Sequence, residues 1–155
     1  MLNKKIKNAT PKEYDGIKFR SLLEVMTYKT LLQEGFLPEY ENMTFTLKES
    51  FQPSIPFYTK NTLKRKNKNV KVLSKTTIID NRIVKAITYT PDFIFNYKDK
   101  VIIVEVKGMA NDVYPYKLKL FRNILETLST TKNYELWEIH SQKQLLDCIK
   151  HLKNE

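Results

Sequence analysis

Two short apolar runs with charged residues at their ends decide the fold of this chain. They read Tyr89-Thr90-Pro91-Asp92-Phe93 and, after a polar turn, Val101-Ile102-Ile103-Val104-Glu105-Val106-Lys107-Gly108. Because side chains alternate across a strand, Glu105 and Lys107 share one face while Val104 and Val106 take the other. A buried charge is costly unless it is paired or bound to a metal. The pattern therefore predicts two neighbouring strands whose ends bring carboxylates and one ammonium group together.

The carboxylates of Asp92 and Glu105 form a small set of hard oxygen ligands. Mg²⁺ prefers such ligands, with water and substrate phosphate completing its octahedron. The alternative is an ordinary ion pair between Glu105 and Lys107 where a strand emerges into solvent, and a lone Glu-x-Lys triplet fits that alternative more often. The context favours the metal site, because an uninterrupted apolar run precedes the triplet and Pro91-Asp92 lies shortly upstream.

A helix is predicted ahead of these strands, over about residues 21–34. Its apolar residues recur close to helical spacing, and Gly35 supplies a C-cap. Ser21 with Glu24 three residues later matches a capping box, in which the glutamate would hydrogen-bond the N-cap backbone. Capping is the ordinary role for such a glutamate in an isolated sequence.

The order of these elements resembles the PD-(D/E)xK nuclease superfamily, with Pro91-Asp92 and Glu105-Val106-Lys107 as the two halves of the motif. A preceding helix with Phe-x-Ser-x-x-Glu, here Phe19 to Glu24, is similar to one branch: small phage nucleases, phage endonuclease I junction resolvases and the nuclease subunit of some transposons. The resemblance covers roughly residues 14–122 and depends on element order, since each piece is short and common. It implies an α/β fold with a restriction-endonuclease-like core, a mixed central β-sheet flanked by helices.

The resemblance also implies a role for each matching residue. Asp92 and Glu105 would be the central metal ligands, the carbonyl of Val106 would add an oxygen, and Glu24 would bind a second ion or a metal-bound water. The implied cofactor is Mg²⁺, for which Mn²⁺ can substitute. Lys107 would orient water or stabilise the phosphate. Electrostatic stabilisation is the safer assignment than general base, because neighbouring carboxylates favour a charged ammonium group.

Length and composition predict one nuclease domain over residues 14–155, after a basic, flexible segment of residues 1–13. No apolar run approaches bilayer length and the N-terminus lacks the apolar stretch of a secretory signal, so we expect a soluble, intracellular protein with no membrane partner. It would act in the cytoplasm, that of the host if phage-encoded. The single cysteine, Cys148, cannot form an internal disulfide, and two histidines offer little for zinc or general-base chemistry.

The formal net charge of +10 is the second functional signal, because it suggests a polyanionic partner. The alternative is a solvated lysine-rich surface arising from base-composition bias. Basic residues lie on both sides of the acidic motif in sequence. The basic stretch before it, residues 60–75, contains no aspartate or glutamate. This distribution favours contact with nucleic-acid phosphates. The candidates are Lys64, Arg65, Lys66 and Lys68 before the motif, and Lys117, Lys119 and Arg122 after it.

The rest of the chain alternates between strand and helix patterns. Met43–Leu47 and Val70–Ile79 are predicted as strands, the second turning at Asp80-Asn81 into a hairpin with Arg82–Tyr89. After Gly108 the patterns predict a helix from near Pro115 to Leu128, a strand over Tyr134–His140 and a last helix capped by Ser141. Together with the first helix they predict an α/β sandwich.

These observations predict a metal-dependent endonuclease that hydrolyses DNA. By resemblance to the junction-resolving branch, the leading hypothesis is a Holliday junction resolvase-like enzyme acting on branched DNA. A general duplex or single-strand DNA nuclease is the first alternative, and a nuclease fold retained as a DNA-binding or transposition-complex subunit is the second. RNA cleavage also stays open. A homodimer would supply the two active sites that a junction needs, although no interface can be identified in the sequence.

Overall fold

The computed structural model describes residues 11–62, 68–108 and 113–155. Within them the chain is a mixed α/β protein with three helices and several sheets, which confirms the predicted α/β class. In chain order the elements are β1 (Lys12–Tyr14), β2 (Ile17–Phe19), α1 (Leu22–Gln33), β3 (Glu39–Tyr40), β4 (Phe45–Lys48), β5 (Tyr58–Lys60), β6 (Val70–Val72), β7 (Thr77–Asp80), β8 (Ile87–Tyr89), β9 (Phe93–Tyr97), β10 (Lys100–Val106), α2 (Tyr114–Leu128), β11 (Asn133–Ile139) and α3 (Gln142–Asn154).

The chain divides into two compact units, Met1–Phe45 with Tyr89–Glu155, and Thr46–Thr88. The first contains a mixed four-stranded sheet with the order β11-β10-β9-β3. Strand β10 pairs antiparallel with β9 and parallel with β11. A parallel pair needs a crossover connection, and α2 supplies it. Strand β10 is therefore central, with a neighbour along each side.

The main core of the first unit lies on one face of this sheet. Ile102, Val104 and Val106 alternate along β10 and pack into it with residues of α1 and α3, among them Leu31 and Leu145. Ile103 and Glu105 point to the opposite face by the same alternation. The strand thus presents an apolar surface to two helices and a carboxylate to the other side.

The boundaries of α1 agree with its predicted capping signals. The Ser21 hydroxyl accepts a hydrogen bond from the Glu24 backbone N–H at 3.2 Å. At the other end, Gly35 has a φ of +89°, and its N–H bonds to the carbonyl of Leu32 while that of Phe36 bonds to Leu31, both at 3.0 Å. This is a Schellman motif, which requires the left-handed conformation that glycine adopts without strain.

The second unit contains a three-stranded antiparallel sheet with the order β5-β7-β6. The single strand predicted over Val70–Ile79 is wrong, because the chain turns back between β6 and β7. Ser74 explains the turn: its hydroxyl accepts hydrogen bonds from the backbone N–H groups of Thr76 and Thr77, at 3.2 and 3.1 Å. Such side-chain bonds compete with a continuing ladder.

The predicted hairpin at Asp80-Asn81 is also wrong. Both sides of β7 are already taken by β5 and β6, and β8 pairs with β4 instead. The Asp80 carboxylate accepts hydrogen bonds from the backbone and guanidinium of Arg82, at 3.0 and 2.9 Å, so the local turn forms without a ladder after it. The predicted turn at Asp80-Asn81 is therefore present, but the strand that follows it pairs with β4 and not with β7.

At the N-terminus, β1 begins at Lys12, inside the segment predicted to be basic and flexible; residues 1–10 of that segment lie outside the described part of the chain. The nuclease domain predicted over residues 14–155 stays a prediction. Every helix in the described residues is too short or too polar to cross a membrane.

Candidate functional site

The two carboxylates of the predicted motif meet at one end of the central strands. The antiparallel register pairs Phe93 of β9 with Val104 of β10, and continuing it by one residue sets Asp92 opposite Glu105. Residues directly opposite each other in such a ladder share a face. Both side chains are buried, with exposures of 7% for Asp92 and 3% for Glu105. Two acids are thus placed side by side, away from water.

Asp92 has one strong hydrogen-bond donor and a perturbed pKa. Its Oδ2 atom accepts a hydrogen bond from the backbone N–H of Val106 at 2.7 Å. Burial first, and the negative charge of Glu105 second, raise the pKa of Asp92 to about 7, against the lowering effects of the Val106 N–H and of Lys107. A nearby cation would stabilise the ionised form of this carboxyl group and so lower its pKa.

Glu105 has a partner for only one of its oxygens. Lys107 forms an ion pair with its Oε1 atom, while Oε2 is buried and has no hydrogen-bond partner among the described residues. The Lys107 ammonium also lies 4.3 Å from the centre of the Tyr114 ring, within cation–π distance. The predicted pairing of glutamate and lysine on one face is confirmed. The ion pair between Glu105 and Lys107 does not account for the buried Oε2 atom of Glu105.

Glu24 caps α1 and also acts electrostatically on the candidate site. Its carboxylate accepts hydrogen bonds from the Arg20 backbone N–H at 3.0 Å, the Ser21 hydroxyl at 2.9 Å and the Tyr40 hydroxyl at 2.8 Å. The capping interpretation is therefore confirmed, although the backbone donor is Arg20 rather than the N-cap residue. Its charge also contributes to the raised pKa of Asp92. The helix glutamate therefore lies within electrostatic range of Asp92.

Three tyrosines around the carboxylates were missed by sequence reasoning. The pKa of each hydroxyl is raised by burial first and then by a carboxylate, Glu24 in the case of Tyr40 and Glu105 in the cases of Tyr89 and Tyr114. The Tyr89 hydroxyl is buried and has no close hydrogen-bond partner in the described part of the chain, although Glu105 is near enough to raise its pKa. No periodicity or spacing marks these positions, because tyrosines also serve as ordinary core residues.

The donor set fits a divalent ion held by two carboxylates. Among the residues that the structure describes, no group of three or more His, Cys, Asp or Glu side chains is arranged to hold a metal. Glu24 is engaged by its own three donors, whereas Asp92 and Glu105 share a face, and one buried oxygen of Glu105 has no hydrogen-bond partner within the described ranges. Mg²⁺ is commonly held by one or two carboxylates with waters and phosphates. The Lys107 N–H bonds to the carbonyl of Ile139 in β11 at 2.8 Å, so the preceding carbonyl, that of Val106, faces the other side of β10, where β9 lies.

The predicted nucleic-acid contacts are divided between the two units. Lys64, Arg65 and Lys66 lie outside the described residues, and Lys68 belongs to the second unit, just before β6. Lys117, Lys119 and Arg122 lie on α2 in the first unit, where Lys119 and Arg122 are exposed and Lys117 is half-buried. Arg122 lines a cleft of about 380 Å³ together with Glu126 and Glu138, so its surroundings are of mixed charge.

The fold and site define an α/β protein with two buried carboxylates and a paired lysine at the ends of two central strands. Residues 4–144 match the model of a family described as a protein of unknown function, DUF1064, and the chain belongs to that family. No curated protein and no solved structure matches the chain.

Proposed function

We propose that this protein is a Mg²⁺-dependent DNA endonuclease, with a PD-(D/E)xK site on a restriction-endonuclease-like core. One observation carries the proposal: Asp92 and Glu105 lie buried and opposite each other, and Lys107 pairs with only one oxygen of Glu105. An ordinary surface ion pair involves neither a second buried acid nor a free buried oxygen. Strongly perturbed carboxylates of this kind cluster at functional sites.

The proposed chemistry assigns a task to each side chain. When bound, Mg²⁺, or Mn²⁺ in its place, would supply an acidified water and neutralise charge on the phosphate and the leaving oxygen. Asp92 and Glu105 would hold the ion, and the Val106 carbonyl would add a third protein oxygen. Glu24, fixed by its three donors, orients water at the edge of the site. Lys107 stabilises negative charge on the phosphate, since its ammonium is held beside the carboxylates by the ion pair with Glu105.

Branched DNA is the substrate that we propose, with the enzyme acting in the cytoplasm, that of the host if phage-encoded. The similarity of the helix-first motif order to the junction-resolving branch supports this choice. Duplex or single-stranded DNA is the alternative substrate. A non-catalytic DNA-binding or transposition-complex subunit would bind DNA without cutting it, and activity measurements separate that class from a nuclease.

The test is a cleavage comparison of four-way junction, flap, linear duplex and single-stranded DNA with Mg²⁺ or Mn²⁺. We expect cleavage to require the ion and to be lost in Asp92→Ala and in Glu105→Ala, because each removes an ion-holding carboxylate, while binding in Ca²⁺ is largely kept. Asp99→Ala is the matched control: Asp99 is an exposed acid in the turn between the same two strands, at their other end. It should cleave normally.

Two outcomes would contradict the proposal. Unchanged turnover in a folded Asp92→Ala or Glu105→Ala protein would remove that residue from the mechanism. Absence of cleavage on all four substrates with both ions, combined with normal DNA binding, would favour the non-catalytic subunit.

A further inference from the structure

The second compact unit carries most of the net positive charge. Thr46–Thr88 contains ten lysines and arginines but only two acids, which gives it +8 of the formal +10 of the whole chain. The other unit, which holds the candidate active site, is close to neutral. A charge so concentrated in less than a third of the chain attracts a polyanion to that unit in particular.

The register of β5, β7 and β6 defines the two faces of the three-stranded sheet. Tyr58 lies opposite Ile79, which lies opposite Lys71, and Lys60 lies opposite Thr77. Because directly opposed residues share a face, these five side chains form one surface, which we call the Tyr58 face. The other face carries the fully buried Ile78, so it is the one packed inward.

The Tyr58 face is exposed and free of acids. Tyr58 is 62% exposed, and Lys60 and Lys71 are also exposed and form no ion pair with a described residue. Asp80, one of the two acids of the unit, lies on the opposite face and is bound to Arg82 at 2.5 Å. An aromatic ring thus stands in water, with two lysines available for an external anion.

Ideal sheet dimensions set the spacing of these groups. Lys60 follows Tyr58 by two residues on the same strand, about 7 Å away, and Lys71 lies two strands across, about 10 Å away. Tyr58 therefore has one lysine along its strand and another across the sheet. An exposed aromatic ring with cations nearby is the arrangement by which proteins hold single-stranded nucleic acid, because bases stack on the ring and lysines contact the neighbouring phosphates. A duplex offers its phosphates, but its base faces are already stacked on one another.

We propose that the Tyr58 face binds single-stranded DNA, with a base stacked on Tyr58 and phosphates contacted by Lys60 and Lys71. The choice of DNA as the polymer rests on the nuclease function proposed above; the stacking geometry does not. The site is separate from Asp92 and Glu105, which belong to the other unit. An unpaired segment of a branched or flapped substrate provides such a strand.

A second copy of this chain is the other occupant to consider for an exposed aromatic face. Charge opposes it, because two units of +8 brought face to face repel each other. The same charge favours DNA, and it predicts binding that weakens steeply with salt.

The experiment measures binding of a fluorescent oligo(dT) of about 16 nucleotides by anisotropy, in EDTA so that the DNA stays intact. Tyr58→Ala should weaken binding about 5- to 150-fold, whereas Tyr58→Phe, which keeps the stacking ring, should bind as the wild type does. The Lys60→Ala/Lys71→Ala double variant should lower the log-log salt slope by about 0.7 for each lysine. All three positions are exposed, so the variants should fold.

Matched controls come from the first unit. Tyr116, 69% exposed on α2, is the control for Tyr58, and a Lys143→Ala/Lys150→Ala double variant on α3 removes the same charge as the lysine pair. Both controls should leave the affinity for oligo(dT) unchanged. An equal-length duplex should be bound equally by the wild type and by Tyr58→Ala, because stacking needs an unpaired base.

Unchanged oligo(dT) binding in Tyr58→Ala, or equal weakening of duplex and single strand, would overturn the proposal. So would a Tyr58→Ala protein that keeps its affinity but changes its oligomeric state, which would identify a second copy as the occupant. Because no divalent ion is present, the binding result is independent of catalysis. Loss of cleavage in Asp92→Ala with intact oligo(dT) binding separates the two proposals in the same preparations.

Discussion

Asp92 is the residue at which stability and proposed function conflict. Its pKa in the folded chain is about 7, above the ordinary value of 3.8, mainly because it is buried and second because Glu105 is close. Between about pH 4 and pH 7 the unfolded chain therefore loses a proton that the folded chain keeps. Stability falls as pH rises across this window and is level above it. The buried pair of acids thus lowers the free energy of unfolding at neutral pH, and a bound cation would offset this loss.

We predict that Asp92→Asn removes this pH dependence. In EDTA, the unfolding free energy of the wild type relative to the variant should fall by at most roughly 4 kcal/mol between pH 4 and pH 8. Urea unfolding at a series of pH values measures it. Added Mg²⁺ at pH 8 should stabilise the wild type and not the variant, since an ion that binds only the folded state raises its stability. If the unfolding free energies of the wild type and of the variant changed in parallel with pH, the pKa of Asp92 would not be raised in the folded chain.

At the scale of elements, the first turn of α1 has two tasks. The reciprocal bonds between Ser21 and Glu24 cap the helix, and the same Glu24 carboxylate accepts from Tyr40 of β3. The helix start is thereby joined to the edge of the central sheet. One glutamate therefore serves both helix formation and the placement of negative charge near Asp92.

We predict that substitutions at Ser21 and Glu24 separate these tasks. Ser21→Ala should cost about 1 kcal/mol of stability, as loss of an N-cap does, and leave most of the cleavage rate. Glu24→Ala should cost more, because the Arg20 N–H and the Tyr40 hydroxyl lose their acceptor, and it should also abolish cleavage. Unfolding curves and cleavage rates measured on the same preparations give both quantities. A folded Glu24→Ala protein that cleaves at the normal rate would show that Glu24 is only a cap.

At the scale of the whole molecule, the charge is divided unevenly, with a nearly neutral unit that holds the acidic site and a strongly basic one. Long-range attraction of the proposed DNA substrate would therefore arise mainly from Thr46–Thr88, whereas the proposed chemistry belongs to the other unit. The general attraction is independent of sequence and of branching. Preference for a junction has to come from substrate shape and from the number of active sites.

We predict that the protein is a dimer that prefers a four-way junction. Two cuts in one junction need two sites, a symmetric dimer provides them, and contacts made only on bent arms supply specificity without base contacts. Sedimentation gives the oligomeric state, and titration in Ca²⁺ compares the junction with linear duplex of equal length. A monomer that binds both equally would contradict the prediction, and a general DNA endonuclease would then replace the resolvase hypothesis.

The sequence by itself determined the local structure and the two central acids. Apolar periodicity, the Ser21 and Ser141 caps and the Schellman glycine predicted the helices to within about two residues, because these signals act between neighbours along the chain. Alternation along β10 predicted that Glu105 and Lys107 share a face, because the period of a strand is a property of its backbone.

Only the tertiary structure decided which distant strands pair and what surrounds the acids. It closed β6 and β7 into a hairpin at Ser74 and aligned Lys71 with Tyr58 across β7. It also brought Tyr89 and Tyr114 near Glu105, bonded Tyr40 to Glu24, and set Glu24 within electrostatic range of Asp92. Strand partners and buried neighbours depend on the competition among all possible pairings in the folded chain. Local pattern carries little of that information, because a tyrosine or lysine satisfies the same alternation whichever strand lies beside it.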